Sequence, residues 1–201
     1  MKKVLFATTN PAKIFNYKEK LEKQGFEVLT LKDVDVKLDI DESGKNAVEN
    51  AIIKAKAYYE KTHIVSISVD NNLFIEGVPD EKQPGTHVRR VGGKELSDEE
   101  MIKYYSNLVG QYGGKMTSKW VNGIAIYDEN GANTYTWNGA DFYLVNKPAE
   151  KVTKGYPLDS ISIIPECDNK YCVYLTKEDR NKINKNNTLA GPMEFLINNL
   201  K

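Results

Sequence analysis

The sequence predicts a mixed α/β protein built on a long curved sheet with helices. Two observations point there. The first half alternates short apolar runs with stretches of helical periodicity. The second half, after Gly113-Gly114, is a series of short apolar segments around an Asn130-Gly131 turn signal. A length of 201 residues suits one large domain, or one domain with two lobes.

Val4-Leu5-Phe6-Ala7 reads as a short buried strand, and Thr8, Thr9 and Asn10 as a polar turn after it. Asn10 is a good N-cap, Pro11 fits the first helical position, and Ile14, Phe15, Lys18 and Leu21 recur at helical spacing until Gly25 stops the helix. Residues 26–31 form a second strand. An acidic stretch through Asp41, Glu42, Ser43 and Gly44 leads into a helix over about 45–60, with Ala47, Ala51, Ala55 and Tyr58 on one face. Residues 64–69 form a third strand that delivers Asp70 at its end, and 71–93 reads as mostly loop. Ser97 with Glu100 is a capping box opening a helix to about Val109, with Met101, Ile102, Tyr105 and Leu108 inward. Strands follow over 120–127 and 132–137 around Asn130-Gly131, then 140–145, 161–164 and 171–175. Thr176 with Asp179 caps a short helix, and Pro192 starts the last one.

Lysine plus arginine and aspartate plus glutamate each number 28, so the net charge is zero. That argues against a broad nucleic-acid or membrane surface. No apolar run approaches the roughly 20 residues of a bilayer span, and the N-terminus lacks a signal-peptide core. The expected compartment is the cytoplasm. Cys167 and Cys172 lack zinc-site spacing and read as free thiols. With His63 and His87 the only histidines, any metal is expected to be a hard one held by carboxylates. The P-loop, Rossmann and nucleophile-elbow patterns are missing.

Three acids stand out as candidates. Glu42 precedes a helix, Glu49 lies inside it, and Asp70 sits where open α/β sheets place ligands. Glu42 with Asp70 could hold Mg²⁺ beside a polyphosphate. Taken singly, each acid reads better as a solvated charge than as a site residue, and Lys54 likewise as a solvated lysine. The turn Thr8 to Lys13 at a helix N-terminus suits an anion, about as well as it suits a plain surface turn.

Together these residues resemble the inosine triphosphate pyrophosphatase family. Thr8-Thr9-Asn10-Pro11-Ala12-Lys13 resembles its T-x-N-x-x-K opening. Glu42-Ser43-Gly44 through Glu49-Asn50-Ala51-Ile52-Ile53-Lys54-Ala55 is similar to E-x-G…E-N-A-x-x-K-A. Val69-Asp70-Asn71-Asn72-Leu73 stands for D-D-S-G-L, and Pro84-Gly85 with Arg90 for P-G-x-x-x-x-R. Gly155-Tyr156-Pro157-Leu158-Asp159-Ser160-Ile161 stands for G-F-G-Y-D-P-I, and Thr176 to Asn181 resembles T-x-E-E-K-x. The resemblance runs nearly end to end.

It implies one nucleoside triphosphate pyrophosphatase domain over residues 1–201, two lobes around a central nucleotide cleft, and a homodimer. The implied reaction is Mg²⁺-dependent hydrolysis of non-canonical purine nucleoside triphosphates, such as ITP and XTP, to monophosphate and pyrophosphate. Thr8, Asn10 and Lys13 would grip the triphosphate, Glu42 would bind Mg²⁺, and Asp70 would orient water and act as base or metal ligand. Lys54 and Arg180 would neutralise phosphate charge. Tyr156 would stack on the purine with Asp159 near the base. Thr9, Asn71, Pro157, Leu158, Lys185 and Asn186 complete the implied substrate-binding set.

The sequence departs from the family pattern at several positions, Leu158 in place of an aromatic among them, and keeps the phosphate end better than the base end. Val69 replaces an acid, Asn71-Asn72 replaces Ser-Gly, and Asn184-Lys185-Asn186 replaces a base-reading Ser-His-Arg. Those three are expected beside Tyr156 and Asp159, with a shallower preference for ITP over ATP. The alternatives are a same-fold pyrophosphatase for another modified or pyrimidine nucleotide, or a nucleotide-binding module that has lost catalysis.

Overall fold

The chain opens with strand β1 (Lys2–Phe6), helix α1 (Pro11–Lys23), strand β2 (Phe26–Thr30), helix α2 (Ala47–Thr62) and strand β3 (Ser66–Ile75). Short strands β4 (Arg90–Val91) and β5 (Lys94–Glu95) precede helix α3 (Asp98–Gln111). Strands β6 (Lys115–Asp128), β7 (Gly131–Asn138), β8 (Phe142–Val145), β9 (Ser162–Ile164) and β10 (Lys170–Tyr171) follow, then helices α4 (Lys177–Asn186) and α5 (Ala190–Asn199). This computed structural model describes residues 1–186 and 190–201, and their side chains except those of Ala12, Asn184, Lys185 and Asn186. Eight strands belong to one mixed sheet, and β4 with β5 form a second, two-stranded one. No described helix is long and apolar enough to cross a membrane.

The chain divides into two compact units. One holds residues 1–71, 121–137 and α5, and the other residues 72–120 and 138–186. In the first unit β1 runs parallel to both β2 and β3. Asn10 caps α1, its side-chain oxygen accepting the Lys13 N–H at 3.4 Å. The buried face of α1 carries Tyr17 and Leu21, with Ile14 packed alongside. Phe15, one of the residues read at helical spacing, is 81% exposed. The stripe 14, 17, 21 follows the helical repeat, and residue 15 lies about 100° away from it. Ala47, Ala51, Ala55 and Tyr58 of α2 are buried as the spacing predicts. The alanines let α2 approach β6 closely: a Cβ on Gly123 would come within 2.4 Å of the Val48 nitrogen. The β6–β7 hairpin forms as predicted, with Gly131 at φ +103° closing the turn.

The second unit has its own core, with Leu73, Ile75, Met101, Tyr105, Leu108, Phe142, Leu144 and Ile161 among its buried residues. α3 carries the predicted capping box of Ser97 and Glu100. β8 lies antiparallel between β6 and β9. Four expectations need correction here. β3 does not stop at Val69 but continues to Ile75, so Asp70 sits mid-strand, not at a strand end. The polar triplet Asp70-Asn71-Asn72 breaks the apolar run, yet Leu73 and Ile75 beyond it are buried. The Gln83 side chain replaces a strand partner, accepting from the Ile75 N–H at 3.0 Å and donating to its carbonyl at 2.7 Å. The segment 71–93 is therefore partly strand, with β4 and a short 3₁₀ turn at Asp80–Lys82 besides. The strand expected over 171–175 is two residues long, because Cys172–Tyr174 turns into a 3₁₀ helix. The last helix begins at Ala190, ahead of Pro192.

Candidate active site

In the first unit, four charged side chains from four segments meet. Lys13 on α1 donates to the Val69 carbonyl at 2.9 Å and to Asp70 Oδ1 at 3.3 Å. Lys54 on α2 lies between Glu42 Oε2 at 2.9 Å and Asp70 Oδ2 at 3.3 Å. The order Lys13–Asp70–Lys54–Glu42 alternates in sign and sums to zero, and Asp70 is the buried member, at 9% exposure. Burial holds the Lys13 ammonium below its usual range. Asp70 opposes that shift, and the nearby charge of Lys54 adds to it.

Each member is positioned by local rules. Lys13 stands in the first turn of a helix whose cap, Asn10, is held by its N–H donating to Thr8 Oγ1 at 3.1 Å. Thr9 and Asn10 are exposed and Thr8 half-buried, so this edge of the cluster faces solvent. Glu42 belongs to a loop pinned at Gly44, whose N–H donates to Asn50 Oδ1 at 2.8 Å. A Cβ at Gly44 would lie 2.5 Å from that oxygen. Asn50 is 1% exposed. Its positioning role was missed in the sequence, where only a glycine six residues before a helix-interior asparagine hints at it. Glu49 accepts from the Lys45 N–H at 2.8 Å and from the Asn46 side chain at 2.9 Å, so it closes the start of α2. Asn71 is half-buried, and strand alternation turns it to the other face of β3 from Asp70.

Glu42 and Asp70 converge on one ammonium group, so their oxygens already share a cation. Two hard carboxylates fit a hard divalent metal. Among the described residues no group of three or more histidine, cysteine, aspartate or glutamate side chains could hold one. A metal at this pair would draw its other ligands from water and phosphate.

In the second unit, the 3₁₀ turn Pro157–Ser160 carries the other expected contacts. Tyr156 is 51% exposed, Pro157 and Leu158 are buried, and Asp159 is half-buried. Burial pushes the Asp159 carboxyl above its ordinary range, against the opposing charge of Arg180. Arg180 itself donates to the Cys172 carbonyl at 3.2 Å. α4, which bears it, is capped by Thr176 and Asp179. Leu158 and Asp159 line a cavity of about 200 Å³ with Trp120, Phe142, Ile164 and Glu166. Tyr156, Pro157 and Arg180 are not among its lining residues. Lys185 and Asn186 belong to α4 by their backbone, but their side chains and that of Asn184 lie outside the described residues. Both cysteines are free, as expected. Burial, with the charge of Asp159, pushes the Cys172 thiol up to about 12.

The site is a partly buried lysine–carboxylate cluster beside a helix N-terminus in a mixed α/β fold. A family model described as the Ham1 family matches residues 4–188. The chain belongs to the Ham1 family. It is 31% identical over 185 residues to the dITP/XTP pyrophosphatase of Bacillus subtilis, covering 91% of this chain and 90% of that one. It is 28% identical over 212 residues to the dITP/XTP pyrophosphatase of Aquifex aeolicus, covering 98% and 97%. Among solved structures, the Staphylococcus aureus Ham1 protein superposes with a TM-score of 0.76 at 23% identity, covering 97% and 98%. A HAM1 protein from Coxiella burnetii does so at 0.79 and 23%, covering 98% of each chain. These two likenesses speak for the fold.

Proposed function

We propose that this chain is a nucleoside triphosphate pyrophosphatase. It hydrolyses non-canonical purine nucleoside triphosphates of the dITP and XTP kind to monophosphate and pyrophosphate, with Mg²⁺ as its cation. The observation that carries this reading is the meeting of Lys13, Asp70, Lys54 and Glu42 in a chain whose relatives are named for that activity. Thr8, Thr9 and Asn10 present hydroxyls and an amide at the positive end of α1, and there they grip polyphosphate oxygens. Lys13 and Lys54 turn from Asp70 to the incoming phosphates and neutralise them. Asp70, relieved of both lysines, accepts the proton of the water that attacks the α-phosphorus, and pyrophosphate leaves. Glu42 and Asp70 would hold the metal, which when bound supplies Lewis-acid polarisation of the phosphates.

In the second unit the exposed ring of Tyr156 gives a base a stacking face. Pro157 and Leu158 make an apolar wall, and Asp159 bonds the base edge. Asn71, Arg180, Lys185 and Asn186 complete the substrate contacts. A cytoplasmic homodimer, acting on nucleotides and not on nucleic acid or membrane, belongs to the same reading. The test is a panel of dITP, ITP, XTP, canonical and pyrimidine triphosphates scored by pyrophosphate release. Release from dITP and XTP ahead of the pyrimidines is expected. Release from none of the panel, or from pyrimidines alone, overturns the reading.

A further inference from the structure

Tyr156, the ring offered to the base in the reading above, stands on an exposed turn that a distant side chain holds. The turn runs from Thr153 to Tyr156, whose N–H donates to the Thr153 carbonyl at 2.9 Å. Gly155 within it is exposed and has φ +81°. Glycine has the widest choice of backbone conformations, so the residue type by itself fixes this turn weakly. A hold comes from α3. Asp98 Oδ2 accepts from the Gly155 N–H at 2.7 Å, across 57 positions of sequence.

Asp98 is itself fixed from two sides. It opens α3, directly after the Ser97 cap. Its Oδ1 accepts from the Arg89 guanidinium at 2.7 Å. That guanidinium also donates to the Leu96 carbonyl at 2.9 Å, and the Arg89 carbonyl accepts from the Leu96 N–H at 2.8 Å. These two bonds lie beside the β4–β5 pairing of Arg90 with Glu95. The Gly155 N–H, then the Arg89 guanidinium, hold the Asp98 carboxyl below its ordinary range, and the charges of Arg89 and Lys154 add to the effect. The carboxylate is therefore ionised at neutral pH, and its bond to Gly155 is of the stronger, charge-assisted kind. One side chain thus ties a hairpin, a helix start and the turn of Tyr156 together, all within the second unit. Arg90, the arginine of the sequence pattern, is exposed, and Arg89 beside it makes the bond.

We propose that Asp98 is a positioning residue for base recognition, fixing through the Gly155 N–H the turn that presents the Tyr156 ring. The proposal rests on the reading of Tyr156 as the stacking face for the base. Asp98 touches no nucleotide in this scheme. Its loss weakens the hold on the base and leaves the contacts to the phosphates unchanged.

The experiment compares the intact wild-type protein with Asp98→Ala, Tyr156→Ala and the double variant. It measures KM and kcat for dITP with Mg²⁺ present, and the affinity for inorganic tripolyphosphate, which has no base. Stacking on an aromatic ring is worth about fivefold or more in affinity. Asp98→Ala should therefore raise KM for dITP by about fivefold or more, and by no more than Tyr156→Ala does. Both kcat and tripolyphosphate affinity should stay within about twofold of wild type. With the ring already removed, adding Asp98→Ala should change KM by less than about twofold, because the two residues act as one unit. A merely structural role would lower kcat and tripolyphosphate affinity too, and would add in full to Tyr156→Ala. An unchanged KM in Asp98→Ala or in Tyr156→Ala, or a full effect of Asp98→Ala without the ring, overturns the proposal. If Asp98→Ala does not fold, Asp98→Ser carries the same test, being too short to reach Gly155. Should the wild type cleave no nucleotide, the proposed activity fails and this role falls with it. An active wild type whose variants depart from these outcomes overturns the role of Asp98 alone.

Discussion

Asp70 is held by two lysines, one on each oxygen, and that geometry separates its part in catalysis from its part in binding. Asp70→Asn should lower turnover by about 10²-fold or more, since an amide cannot take up the proton of water. The same change leaves Lys13 and Lys54 free for phosphate, so triphosphate affinity should be kept or improved. Steady-state turnover with Mg²⁺ saturating, beside equilibrium nucleotide binding, reads both effects, and wild-type turnover would remove Asp70 from the mechanism. Gly44 is a second test at this scale. Its missing Cβ leaves room for Asn50 Oδ1 at 2.5 Å from where that atom would be. Gly44→Ala should cost about 1–3 kcal/mol by overpacking, measured by urea unfolding, and should weaken activity through the displaced loop of Glu42. An unchanged urea midpoint would show that the loop yields freely.

Among the elements, α4 is started by one half-buried acid. Asp179 accepts from Lys170 at 2.7 Å and from the Thr176 N–H at 2.8 Å. The Lys170 bond, then the Thr176 bonds, hold its carboxyl at about 2 against an ordinary 3.8. The folded-state value is the lower one, so the native state favours the ionised form. The stabilisation is present above pH 3.8 and is lost as the pH falls towards 2. Asp179→Asn should therefore lower the urea midpoint at pH 7, with the gap from wild type closing between about pH 4 and pH 2. A gap that is constant across that range would assign the effect to shape instead of charge. β3 teaches something different at this scale. Its polar middle reads as a terminus because hydrophobic periodicity is a local signal. What keeps it extended is the distant side chain of Gln83 and the Leu73 N–H donating to the Gly85 carbonyl at 3.0 Å.

For the molecule as a whole, the proposed reaction makes a prediction about which bond breaks. Phosphorus NMR of the products should show monophosphate and pyrophosphate. Orthophosphate with diphosphate as primary products would mean attack at the γ-phosphorus and would sink the assignment. Chelation by EDTA should stop pyrophosphate release and added Mg²⁺ should restore it, because two carboxylates and two lysines sum to zero charge and cannot alone neutralise a triphosphate. Undiminished turnover in EDTA would show that the lysines suffice.

The sequence by itself determined the features that neighbours in the chain decide. The Ser97–Glu100 capping box, the alanine face of α2, the hairpin that closes at Gly131 and the Asn10 cap of α1 all depend on residues within a turn or two of one another. The motif order from Thr8 to Arg180 likewise pointed to the family without any coordinate. The tertiary structure alone decided what depends on distance in space. Lys13 and Asp70 are 57 positions apart and share a hydrogen bond, and no periodicity encodes that pair. Phe15 and Tyr17 are both aromatic residues on α1, but only Tyr17 has a core to meet.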